Sequence, residues 1–127
     1  GVIAHPDDER LSDVYGTIFT APGSSGEPHH HRNVTVFADG EVDRSPCGSG
    51  TAARLAHLVL RGEFGPDDEL RHESIIGTTF TGRVVGETTR HGRRAVLPEV
   101  TGTAYRVGSS EFTIDPRDDL VPGFVLR

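Results

Sequence analysis

The chain has 127 residues, enough for one compact domain and too few for two ordinary ones. Its net charge is -6 with the histidines neutral, and its 13 Lys and Arg are scattered rather than gathered in a stripe, which argues against a nucleic-acid partner. The apolar runs fall short of the roughly 20 residues of a membrane span, and 16 Gly with 8 Pro favour many short strands over a helix bundle.

The opening Gly-Val-Ile-Ala-His-Pro-Asp-Asp has neither the basic region nor the long apolar core of a secretory leader. A single cysteine, Cys47, admits no internal disulfide, so a cytoplasmic domain is the expectation. Met is absent throughout, position 1 included, and the sequence therefore reads as a piece of a longer polypeptide.

Residues 14–20 form the first predicted strand, closed by Ala-Pro-Gly, and residues 23–28 a loop. His29, His30 and His31 read as solvent-facing loop running into the next strand, not as a metal site, because no Cys or carboxylate spacing completes one. Residues 33–38 alternate as a strand should, and Asp39-Gly40 supplies a turn. The one convincing helix runs from Gly48 to Arg61, with Ser45 as N-cap, Pro46 at the first position and Gly62 as the left-handed stop. Its apolar residues surround most of the circumference, which predicts a largely buried helix wrapped by sheet. Strands follow at 75–76, 80–86, 95–97, 104–107 and 112–114, in antiparallel order, with Arg90–Arg94 as a solvated hairpin turn. Asp115–Asp119 lacks the glycine and terminal Glu of a calcium loop, and the tail, about 115–127, is apolar enough to dock on something.

The densest chemistry lies in Asp43-Arg44-Ser45-Pro46-Cys47-Gly48-Ser49-Gly50-Thr51. A thiol at the start of a helix feels the positive end of the dipole, which favours thiolate, the form that acts as a general base. Gly48 and Ser49 have little or no side chain, so their amides can approach a small carboxylate closely. Asp43 is near enough in sequence to meet an ammonium or ring N–H. The bland alternative is a buried, inert cysteine beside a Gly-rich turn.

The string NVTVFADGEVDRSPCGSGTAARLA resembles the signature around the second catalytic cysteine of the proline racemase family. VYGTIFT before it, and ESIIGTTFTGRV, AVLPEVTGTAYRVG and FTIDPRDDLVPGF after it, also resemble family segments, in the family's order. The resemblance implies an α+β, diaminopimelate epimerase-like lobe, an antiparallel sheet around a central buried helix. Residues 1–127 would be the C-terminal lobe of a two-lobe enzyme, its tail packing on the N-terminal lobe. It further implies a racemase or epimerase that inverts the α-carbon of proline or hydroxyproline without pyridoxal phosphate or metal, often as a homodimer. Cys47 would be one of two acid/base cysteines, Asp43 would contact the ring nitrogen, Gly48 and Ser49 amides the carboxylate, and Phe37 the ring as an apolar wall. The facing cysteine would lie in the other lobe.

Two further readings stay open. In the family's trans-3-hydroxy-L-proline dehydratases the residue matching Cys47 is typically Thr, so Cys47 favours racemase or epimerase, whereas VFADGEVDRSP and GSG resemble the dehydratase branch more. A non-catalytic remnant of the same fold is the other.

Overall fold

The computed structural model describes residues 3–123. The elements are β1 (Ala4–His5), β2 (Asp8–Ser12), β3 (Gly16–Pro22), β4 (His30–Phe37), α1 (Gly48–Leu60), β5 (Leu70–Glu73), β6 (Thr79–Arg90) and β7 (Arg93–Thr101). β1 and β2 form a small exposed hairpin, and the other five strands form one sheet in the order β3-β4-β5-β6-β7.

All pairs in that sheet are antiparallel except β4 with β5, which are parallel. The expected all-antiparallel sheet is therefore a mixed one, and the reason is α1. Parallel neighbours need a long crossover, here carried by the helix between β4 and β5. The fold remains α+β.

The helix ends as its sequence predicts. Gly62, at φ +71, donates its N–H to Val59 O (3.0 Å), and Glu63 donates to Leu58 O (2.9 Å), the paired bonds of a Schellman stop. Burial is one-sided rather than general. Gly50, Thr51, Leu55, Leu58 and Val59 are buried, while Leu60 is 65% exposed on the face the sheet does not cover. Leu55, Leu58, Val59, Phe64 and Leu70 make the core, with Val84 and Val96 packed against it. Gly82 of β6 lets the helix come close: a Cβ there would lie 2.9 Å from Leu55 Cδ1.

The hairpin of β6 and β7 turns at His91 and Gly92, with φ of 49° and 72°, the two positive values that a tight two-residue turn requires. β7 runs through Pro98 because it is an edge strand, where a missing N–H costs no ladder bond.

Three expected strands do not form. Ile75 and Ile76 lie in the turn between β5 and β6, and the strand at this point is Leu70–Glu73 instead. Residues 104–107 and 112–114 have no strand partner among the described residues and are exposed, Tyr105 at 86% and Phe112 at 90%. Exposed backbone that pairs with no other strand gains nothing from extending into one. The last four residues of the expected apolar tail, 124–127, lie outside the described residues. No helix among the described residues is long and apolar enough to cross a membrane.

Candidate active site

The chain leaves β4 at Phe37, turns at Gly40 (φ 89°) and comes back beside the strand, where Asp43 N–H donates to Thr35 O (2.9 Å). From there two short side-chain loops steer it. Asp43 Oδ1 accepts the Ser45 N–H (2.8 Å), and Ser45 Oγ accepts the Cys47 N–H (3.0 Å). Ser45 is thus not the N-cap: its oxygen is used on Cys47 and does not reach the first helical turn. Cys47 itself occupies the N-cap position at φ 63°, ψ 110°, and no side chain caps the helix.

A positive φ in an L-residue other than Asn or Asp costs on the order of 1–3 kcal/mol and persists only where neighbours enforce it. Here they do. Asn33 Nδ2 donates to Pro46 O (3.1 Å), and the Thr51 hydroxyl lies 2.7 Å from Cys47 O and 3.3 Å from Pro46 O. Cys47 O also accepts the Thr51 N–H (2.8 Å). Behind Thr51 stands His72, its Nδ1 2.8 Å from Thr51 Oγ1. The hydroxyl has one proton, and its shortest contact points that proton at Cys47 O, so His72 supplies the hydrogen from Nδ1. Burial, reinforced by the charges of His31 and Arg54, pushes His72 down to about 4. A neutral ring with its proton on Nδ1 fits both this contact and the lowered pKa.

Cys47 is buried, with Sγ 3.7 Å from Ser49 Oγ. It lines a hollow of about 150 Å³ together with Tyr15, Gly16, Ile18, Thr35, Phe37, Ser49, Gly50 and Ala53. Phe37 stacks on Tyr15 at 6.4 Å and 14°, making one wall. Gly50 makes room for the thiol, since a Cβ at this position would sit 3.1 Å from Cys47 Sγ and 2.3 Å from Ile18 Cδ1.

Of the five residues singled out in the sequence, Phe37, Cys47 and Ser49 meet in this hollow. Asp43 lines an adjoining and larger cavity, about 710 Å³, with Phe37, Pro46, Ile76, Phe80 and Tyr105 among its walls. Phe37 is common to both. Gly48 is exposed at the open end of the helix, and a Cβ on it would meet nothing within 4 Å. The smaller hollow, not the larger, holds the Cys47 thiol, and it falls below the roughly 300 Å³ at which small-molecule sites begin.

The histidine run departs from expectation. His30 and His31 belong to β4, and His30 is 1% exposed. Ser25 N–H and Oγ lie 3.2 and 2.6 Å from His30 Nδ1, and Glu73 Oε2 lies 3.1 Å from its Nε2, off the line of a hydrogen bond. Gly23 is wrapped against the same ring, where a Cβ would come within 2.3 Å. The Ser24 N–H, with Arg32 and His30 nearby, holds Glu73 below the usual carboxylate range. The cluster pins the β3–β4 loop. No group of three or more His, Cys, Asp or Glu positioned for a metal occurs among the described residues. Asp115 is paired with Arg117 (2.7 Å).

Sequence patterning missed Tyr15, Asn33, Thr35, Thr51 and His72. One signal was present. In Asn33-Val34-Thr35-Val36 alternation would bury the valines, yet Asn33 and Thr35 are the buried pair and Val34 and Val36 are half-exposed. β4 turns its polar side chains toward the helix and the thiol.

The family model described as proline racemase matches residues 2–125. The chain is 44% identical over 128 residues to a trans-3-hydroxy-L-proline dehydratase of Bacillus cereus, covering 98% of this chain and 37% of that protein. It is 45% identical over 126 residues, with the same coverage, to a 3-hydroxyproline 2-epimerase of Burkholderia multivorans. Among solved structures it is similar to a hydroxyproline epimerase from Agrobacterium vitis with bound trans-4-hydroxy-L-proline, at TM-score 0.77 and 40% identity over 98% of this chain and 35% of that one. The chain thus spans somewhat over a third of the length of these relatives. The match extends across the strands, the helix and the Cys47 loop alike, and the chain belongs to the proline racemase family.

Proposed function

We propose that this chain supplies one half of the active site of a cofactor-independent racemase or epimerase acting at the α-carbon of proline or a hydroxyproline. The observation that carries the reading is Cys47, a buried thiol held at the N-terminus of α1 and facing a hollow. As thiolate, Cys47 takes the α-proton, and a protonated group on a second lobe returns a proton to the opposite face; the reverse substrate exchanges the roles. The amides of Gly48 and Ser49, uncapped by any side chain, receive the substrate carboxylate at the positive end of the helix. Asp43 meets the ring nitrogen from the adjoining cavity, and Phe37 stands between the two as an apolar wall. Water exclusion, which strengthens these charge interactions, comes from closing a second lobe over the hollow.

The second lobe belongs to the same polypeptide in this reading. Its support is twofold: the relatives extend well beyond this chain, and the segment after β7 exposes Tyr105, Val107, Phe112 and Ile114. An apolar run of this kind marks a surface that another body covers.

A dehydratase is the second reading, supported by the 44% identity to a trans-3-hydroxy-L-proline dehydratase as the first is by the 45% identity to a 3-hydroxyproline 2-epimerase. Cys47 would then serve the same substrate class without returning a proton to the opposite face. Proton NMR of the complete gene product in D2O decides between them, with L-proline, trans-4-hydroxy-L-proline and trans-3-hydroxy-L-proline as substrates. Cys47-dependent α-deuteration with inversion is expected. Loss of water from the 3-hydroxy compound alone would give the dehydratase, and retention of full activity in Cys47→Ser would remove the thiol from either mechanism.

A further inference from the structure

Four buried side-chain atoms find no hydrogen-bond partner among the described residues: His30 Nε2, Asn33 Oδ1, Thr35 Oγ1 and His72 Nε2. Only Thr35 among these residues also lines the hollow of Cys47. It is 3% exposed, and its backbone carbonyl already serves Asp43 N–H, so the hydroxyl alone is left unmatched. A buried hydroxyl without a partner is destabilising, and a β-branched valine would fill the same space in a strand without that cost. A hydroxyl at this position therefore costs the fold stability.

We propose that Thr35 is a specificity-determining residue whose hydroxyl pairs with the ring hydroxyl of a hydroxylated proline. The proposal rests on the reading of Cys47 as the group at the α-carbon. With the carboxylate at the helix N-terminus and the ring nitrogen toward Asp43, the ring carbons face Tyr15, Ile18, Thr35 and Phe37. Thr35 is the one of these four with a hydroxyl on the buried face of β4. A rotation of one staggered step about χ1 moves its hydroxyl to a neighbouring position, a route by which the oxygen reaches the hollow when a partner arrives. Unsubstituted proline would leave that oxygen orphaned, and sites that hydrogen-bond a substrate hydroxyl discriminate strongly against the analogue lacking it.

The test compares wild type, Thr35→Val and Thr35→Ser in the complete gene product. Its readouts are kcat/KM for L-proline and the two hydroxyprolines, calorimetric binding of each, and the melting temperature. In Thr35→Val the preference for a hydroxyproline over proline should fall by about 10-fold or more while the melting temperature rises. Thr35→Ser should keep the preference. The proposal is overturned if Thr35→Val leaves the ratio unchanged, lowers all three substrates equally, or if wild type prefers proline. Should wild type turn over none of the three, the catalytic reading falls by itself. Binding then judges Thr35, and equal affinity of wild type and Thr35→Val for every ligand overturns its role.

Discussion

Replacing Thr51 by Val removes one oxygen and almost nothing else. The side chain keeps its shape, its β-branch and the methyl that lies beside Gly82, so neither cavity nor helix propensity changes much. What is lost is the centre of a buried relay: the bond to Cys47 O at 2.7 Å and the acceptor for His72 Nδ1 at 2.8 Å. Cys47 O retains the Thr51 N–H and Pro46 O retains Asn33, so neither carbonyl is orphaned. His72 has no such reserve, because its Nε2 is already without a partner. One net hydrogen bond is worth about 0.5–1.5 kcal/mol and a newly unsatisfied buried donor about 1–3 kcal/mol, so Thr51→Val should destabilise by roughly 2–4 kcal/mol. Urea denaturation followed by circular dichroism measures this directly. Thr51→Ser should recover most of the loss. A Thr51→Val protein within about 0.5 kcal/mol of wild type would mean that the relay does not hold the Cys47 loop, and the account of its positive φ would have to be abandoned.

His72 makes acid stability predictable in sign. Its folded pKa of about 4 lies below the ordinary 6.5, so the unfolded chain binds the proton first. Stability from this group is complete above about pH 6.5 and drains away as the pH falls to about 4, by up to roughly 3 kcal/mol. His72→Asn, which keeps a donor near Nδ1 but does not titrate, should flatten that limb, and an unchanged slope between pH 4 and 7 would refute the assignment. Gly50→Ala sets two effects against each other. The added Cβ improves helix propensity by up to about 1 kcal/mol, yet it presses on Cys47 Sγ at 3.1 Å and displaces Ile18 from the hollow. Melting temperature should therefore change little while the rate of α-proton exchange drops by about 10-fold or more; equal rates would show that the thiol's placement is not critical.

Much of the fold could be read from residues alone, and the failures share a cause. The helix, its glycine stop and the β6–β7 turn obey local rules that a sequence displays. β5 was invisible because Leu70-Arg71-His72-Glu73 looks like exposed chain, although three of its four residues are buried. Its polar members are matched by residues far away in sequence: His72 by Thr51, and Glu73 by Ser24 and Arg32. His30 reads as loop in the sequence and lies buried in β4, held by Ser25 of the preceding loop. That Cys47 and not Ser45 takes the N-cap position was not legible, because the loop spends the Ser45 oxygen on the Cys47 N–H. The apolar segments at 104–107 and 112–114 have the residues and turn spacing of strands, a pattern that says a segment is to be covered and not by what.

The order of strands in the large sheet is also their order along the chain. Nearly every pairing can therefore form by zipping from a neighbour already in place, and such local closure is fast. The exception is β4 with β5, which waits for residues 38–69 to loop out and return as a crossover. That late step is also the one that brings His72 to Thr51 and the Glu73 carbonyl to Asn33. On this ordering the thiol loop should acquire its final shape last, and a chain stalled before the crossover closes would carry an intact hairpin of β6 and β7 beside a cysteine not yet constrained.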